Sequence, residues 1–133
     1  MDIAINYWAV LAAAIASFII GSLWYGPLFG KEWRKLRAAD SSAPMKMPIM
    51  EMVGEFILTL ITAYVLARSV AHLGATSWVA AMLVAVWIWI GFYATTLAGP
   101  VLWEKMPKKL YAINASRWLV SLVAMAVILE VWH

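Results

Sequence analysis

Cysteine is absent from the 133 residues and charge is scarce, with Asp, Glu, Lys and Arg together only 13%. Without cysteine there is no disulfide framework, no thiolate nucleophile and no Cys-based zinc or iron–sulfur centre. So little charge is incompatible with a soluble fold of this size, whose surface is charged all round. Histidine is nearly absent as well: His72 and His133 stand apart, neither at a catalytic spacing from a nucleophile or carboxylate. No Gly-rich phosphate loop, HExxH or GxSxG is present. These gaps leave no catalytic residue, no metal and no cofactor to assign, and they place an enzyme or soft-metal carrier behind other classes. The net charge of +3 is confined to two short loops, which argues against a nucleic-acid partner.

What is abundant is apolar surface. Hydrophobic residues make up 65% of the chain, against roughly 45–50% in soluble proteins, and the mean hydropathy is +0.85. No charge occurs from Ile3 to Gly30 or from Leu73 to Trp103, and each run exceeds the roughly 20 residues needed to cross hydrocarbon. Two shorter runs, Phe56–Ala67 and Trp118–Leu129, reach full length only by drawing flanking charges into the membrane. The expectation is one all-α transmembrane domain over 1–133. Its four helices lie near 3–30, 50–73, 75–103 and 113–132, with an amphipathic segment and loop over 31–49.

Orientation follows from basic residues in the short loops. Lys31, Arg34, Lys35, Arg37 and Lys46 follow the first helix, and Lys105, Lys108 and Lys109 follow the third; the other side has Arg68 alone. Both basic loops are expected on the cytoplasmic face of a bacterial inner membrane, with both termini periplasmic. Trp24, Tyr25, Trp33, Trp103 and Tyr111 would mark the inner interface, and Tyr7, Trp8, Trp78 and Trp132 the outer one. Met-Asp before the first apolar run lacks a basic leader and cleavage pattern, so that helix reads as retained.

The two halves resemble each other. Gly26-Pro27 and Gly99-Pro100 each interrupt an odd-numbered helix ahead of a Trp/Glu/Lys cluster, and proline predicts a kink or helix end at both. Glu55 and Arg68 are 13 residues apart, as are Arg117 and Glu130, with signs exchanged. A parallel repeat of helices 1–2 and 3–4 about an axis along the membrane normal is expected; chance recurrence in a low-diversity apolar sequence is the plain alternative.

Those four charges are the sharpest signal. Thirteen residues rise about 20 Å, so side-by-side even-numbered helices would pair Glu55 with Arg117 at the inner level and Arg68 with Glu130 at the outer. The charges on each helix are also about 140° apart around its axis, so one pair could form between subunits. Intramembrane charge marks an ion or proton path by default; structural locking, or snorkelling to the headgroups, is the competing reading. Asn114 and Ser116 could extend the polar cluster, or Asn114 could cap the fourth helix.

Packing signals accompany them. Ala13, Ser17 and Gly21 on the first helix, and Gly91, Thr95 and Gly99 on the third, form stripes of small residues at every fourth position. Trp87 and Trp89 at mid-span either face lipid, fill packing gaps, or stack on a pigment, a quinone or a neighbouring subunit. Met45, Met47, Met50 and Met52 are soft Cu(I)-type ligands, yet without Cys or His they read as apolar sequence. Lys31–Arg37 reads as a short helix lying on the inner surface, followed by a flexible connection from Ala38 to Pro48.

The run Gly21-Ser22-Leu23-Trp24-Tyr25-Gly26-Pro27-Leu28-Phe29-Gly30-Lys31-Glu32-Trp33 resembles the G-x-L-W-Y-S-P-L-x-F-G-K-x-W hallmark of a bacterial membrane family, domain of unknown function 1761. Gly26 replaces the usual Ser, and one residue is missing before Phe29. Trp89-Ile90-Gly91-Phe92 and Tyr111-Ala112-Ile113-Asn114-Ala115 are similar to its later landmarks. The resemblance implies the topology and a bacterial membrane location, and no activity. Two classes then lead: a self-associating membrane protein with a small-solute or ion transport role, partnered by the bilayer and its own copies, and an accessory or assembly subunit of a larger membrane complex.

Overall fold

The computed structural model describes residues 4–37 and 49–132. Among them every regular element is helical: α1 (Tyr7–Leu23), α2 (Gly30–Arg37), α3 (Ile49–His72), α4 (Trp78–Ile88), α5 (Thr95–Trp103) and α6 (Lys108–Val131). A π-helical turn over Trp24–Leu28 prolongs α1, and another over Trp89–Ala94 fuses α4 to α5. Four apolar rods of 22, 24, 26 and 24 residues result, each long enough to cross about 30 Å of hydrocarbon. The chain is a multi-pass membrane protein built as a four-helix bundle. The connection over 38–48, which holds Lys46, Met45 and Met47, lies outside the described residues, as do His133 and the side chains of Arg34, Leu36 and Arg37.

Local chemistry sets the helix ends. Asn6 Oδ1 accepts from the backbone N–H groups of Trp8 and Ala9 at the start of α1, and Ser77 Oγ accepts from Ala80 N–H at the start of α4. After α3, Gly74 adopts φ +68°, while Gly74 N–H donates to Ala71 O and Ala75 N–H to Val70 O. This paired pattern satisfies the last carbonyls and favours glycine at the left-handed position. The fourth rod starts at Lys108, behind Pro107. Asn114 therefore sits inside α6 and does not cap it.

The two Gly–Pro pairs differ. Pro27 lies within the first π turn, where Phe29 N–H skips a residue to reach Trp24 O at 2.9 Å. Pro100 lies inside α5, which continues to Trp103, and the irregular turn of that rod comes earlier, at Trp89–Ala94.

The α6 helix is the hub. It packs extensively on α1 and α4, and also on α3 and α5. Its buried positions run from Leu110 to Leu129 and include Arg117, Ser121, Leu122, Met125 and Ala126. Facing residues are small: Ala13, Ser17 and Gly21 from α1, Ala63 and Ala67 from α3, Ala81 and Ala85 from α4. Lipid tails are as apolar as leucine, so close backbone approach through small residues is what holds such rods together. The packing departs from exact twofold symmetry, because α1 lies closely on α6 while α3 and α4 touch only sparsely.

Candidate functional site

Arg117 is 4% exposed, in the half of α6 nearer the basic loops. Its guanidinium lies over the ring of the adjacent Trp118 at 3.9 Å, and Nη2 donates to the backbone carbonyl of Ser17 on α1 at 3.3 Å. Space for it comes from Gly21, where an added Cβ would stand 2.6 Å from Nη2. Nε has no partner, and neither do the buried hydroxyls of Ser17 and Ser121. Since Ser121 follows Arg117 by one turn, the α1–α6 seam carries a polar stripe inside an otherwise apolar core.

A cleft of about 620 Å³ opens onto this arginine. Phe18, Tyr25, Trp33 and Trp118 wall it, and Glu51 and Glu55, one turn apart on α3, line it with Arg117. The expected partners Glu55 and Arg117 thus share one cavity, yet no ion pair within 4 Å joins them. Glu51 and Glu55 are exposed.

Aromatic hydrogen bonds fix how α6 presents the arginine. Tyr25 Oη donates to Asn114 Oδ1 at 2.7 Å, Trp24 Nε1 to Ile113 O at 3.0 Å, and Trp89 Nε1 to Ala115 O at 2.8 Å. Tyr111 Oη donates outward to Ala94 O at 2.8 Å. Both π turns thereby deliver an indole to carbonyls two residues apart on the same turn of α6. Asn114 belongs to this polar belt. Nothing in the hydropathy pattern picks out these donors; the adjacency of Trp24 and Tyr25 to Pro27 was the one available hint.

The remaining candidates are placed elsewhere. Arg68 donates to Tyr64 Oη at 3.2 Å, one turn back on α3. Glu130 lines a separate cavity of about 360 Å³ at the opposite end, with Asn6 and Trp132. Ala13, Ser17 and Gly21 are buried, whereas Gly91 and Thr95 are exposed and Gly99 is half-buried. Trp87 is 71% exposed on the outer face, while Trp89 turns inward. His72 is exposed, and Met52 lines the arginine cleft. Among the described residues no group of three or more His, Asp or Glu could hold a metal.

At the basic end, Lys109 Nζ in the first turn of the fourth rod meets Glu32 Oε2 at 2.9 Å and ties α2 to the start of α6. The hydrogen bond from Lys109, and then its charge, hold the Glu32 carboxyl below the ordinary carboxylate range. Tyr25 and Trp33 rings, 5.1 Å apart, seat α2 against the end of the first rod.

Fold and cleft define a class: a small helical membrane protein with a buried arginine reachable from its basic end. The match of a family model over residues 8–130 makes the chain a member of the family described as protein of unknown function, DUF1761. No curated protein and no solved structure matches it.

Proposed function

We propose that this is a self-associating protein of the bacterial inner membrane, with both termini periplasmic, that moves a small solute or ion by way of the Arg117 cleft. One observation carries the reading: Arg117 is 4% exposed, makes one backbone hydrogen bond and has no carboxylate within 4 Å. An arginine at mid-helix in hydrocarbon costs about 3 kcal/mol or more, and one kept merely to lock helices is paired. Arg117 has only the Ser17 carbonyl and the Trp118 ring, and the donors left over are retained for what comes to them. The unpartnered hydroxyls of Ser17 and Ser121 continue polarity inward from the cleft.

One four-helix rod bundle has little room for a pore, so the path is completed between copies. The exposed Gly91 and Thr95, beside Trp87 and Phe92, offer a face for that contact, and the parallel repeat belongs to the same reading. The test is native mass spectrometry of protein released in lipid nanodiscs, followed by solute flux in proteoliposomes. A homo-oligomeric mass, with flux lost in Glu55→Gln at unchanged melting temperature, supports the proposal. The same outer face equally suits an accessory subunit of a larger complex; unrelated polypeptides in the released particle, and a Glu55→Gln variant that alters stability alone, would establish that second reading instead.

A further inference from the structure

We infer that the Arg117 cleft takes a zwitterion, a phosphate ester bearing a primary ammonium group, with the phosphate on Arg117 and the ammonium against Glu51 and Glu55. The inference rests on the reading of this cleft as the solute site and names its ligand class. Charge is the first argument. The cleft holds one guanidinium and two carboxylates. A simple anion would answer Arg117 but face two like charges, and a simple cation would answer the carboxylates but be repelled by the arginine. A molecule carrying both signs answers both.

Donor geometry is the second argument. A guanidinium has five N–H donors in a fixed fork; one is committed to Ser17 O and Nε is shut away beside Gly21, so the remaining Nη hydrogens are the ones a ligand can meet. The planar fork suits bidentate contact with phosphate oxygens. Stacking on Trp118 at 3.9 Å and the missing side chain of Gly21 hold the plane in place before any ligand arrives.

The rest of the lining suits an ammonium. Glu51 and Glu55 lie one turn apart on α3, and the ring pair Tyr25–Trp33 lines the same cleft. Cations are attracted to aromatic faces as well as to carboxylates. The volume, about 620 Å³, is within the usual span for small-molecule sites, roughly 300–1,000 Å³. Trp33 brings the amphipathic helix α2 to the rim of the cleft, and helices of that kind lie at the membrane surface among the headgroups. Such a ligand could therefore be a membrane lipid headgroup or a free phosphate ester; the chemistry recognised is the same.

The experiment uses the full chain in phosphatidylglycerol nanodiscs. Phosphoethanolamine, inorganic phosphate and ethanolamine are titrated by calorimetry, and nanodiscs containing a minor fraction of phosphatidylethanolamine are examined by native mass spectrometry. The expected result is phosphoethanolamine binding about ten-fold or more tighter than either half-molecule, since each half lacks the charge-assisted hydrogen bonds that the other makes. The double variant Glu51→Gln, Glu55→Gln, changed only at exposed positions, should reduce it to the level of phosphate. Selective retention of phosphatidylethanolamine that the same variant abolishes, without binding of the free ester, supports the inference with a lipid as the source. Phosphate binding as tightly as phosphoethanolamine, or an unaffected double variant, overturns the zwitterion inference and leaves a simple anion site in keeping with the proposed function. No binding of any probe and no lipid retention overturns the inference; flux that persists in Glu55→Gln would bring down the transport reading separately.

Discussion

The guanidinium of Arg117 occupies the space that a side chain at Gly21 would claim. An ideal Cβ on Gly21 would stand 2.6 Å from Nη2 and 3.2 Å from Nε, well inside van der Waals contact. Gly21→Ala should therefore swing the guanidinium aside rather than separate α1 from α6. We expect a fall in melting temperature of a few degrees, about 1 kcal/mol, together with a loss of solute flux of ten-fold or more. Thermal melts and flux on the same preparation check both halves.

Arg117→Met should leave the bundle as stable as the parent or more so, while abolishing flux. Replacing a buried charge by an apolar chain of similar length removes desolvation cost, and here no carboxylate partner is left stranded. Had the arginine been one half of a lock, its loss would cost about 3–5 kcal/mol. Chemical or thermal unfolding in detergent separates the two.

Trp89→Phe should destabilise the protein by about 1 kcal/mol, through loss of the indole hydrogen bond to Ala115 O. Trp24→Phe should do the same through Ile113 O. Trp87→Phe, at a position 71% exposed, should change stability little. If Trp87→Phe alters the mass of the released particle instead, that residue lies at a subunit contact.

The number and approximate place of the spans were legible because hydrocarbon thickness imposes a length that uncharged runs such as 73–103 reveal directly. The Ala13–Ser17–Gly21 stripe is buried, whereas the matching stripe at Gly91 and Thr95 faces outward; small-residue spacing identifies a smooth face without saying what lies against it. Proline signalled irregularity at Pro27. At Pro100 it did not mark the end of the helix, because the rod relaxes by a π turn upstream and the last turn runs on to Trp103. Arg117 stood out as costly, yet beyond the adjacent Trp118 ring its contacts are a backbone carbonyl and a vacancy at glycine, and neither of those has a side-chain signature.

The Glu32–Lys109 contact should be pH-sensitive in one direction. A carboxyl held below its ordinary value contributes above the unfolded-state pKa, and the contribution is lost as pH falls through the lowered value. The distance between spin labels placed at Lys31 and Lys108 should be short and well defined at neutral pH and broaden as the medium is acidified below the usual carboxylate range. Glu32→Gln should remove that dependence with little change in melting temperature, because the pair is exposed.

Topology can be read without background, because the chain has no cysteine. Single Cys residues at Lys35 and Lys105 should react with a membrane-impermeant maleimide only in inverted vesicles, and one at Thr76 only in intact spheroplasts. The opposite pattern would reverse the orientation assigned from the basic loops.

The rod that packs most extensively on its neighbours, α6, follows them in the chain. During synthesis the first three rods enter the bilayer before the surface that organises them exists. Until then α1 presents Ser17 and Gly21 to lipid, and α3 and α4, which meet only sparsely, have little to hold them together. Assembly of this protein is thus a waiting problem: α1 and α3 can settle on each other at once, but the third rod has little to rest on until an arginine-bearing fourth is inserted, and the burial of that arginine coincides with completion of the fold.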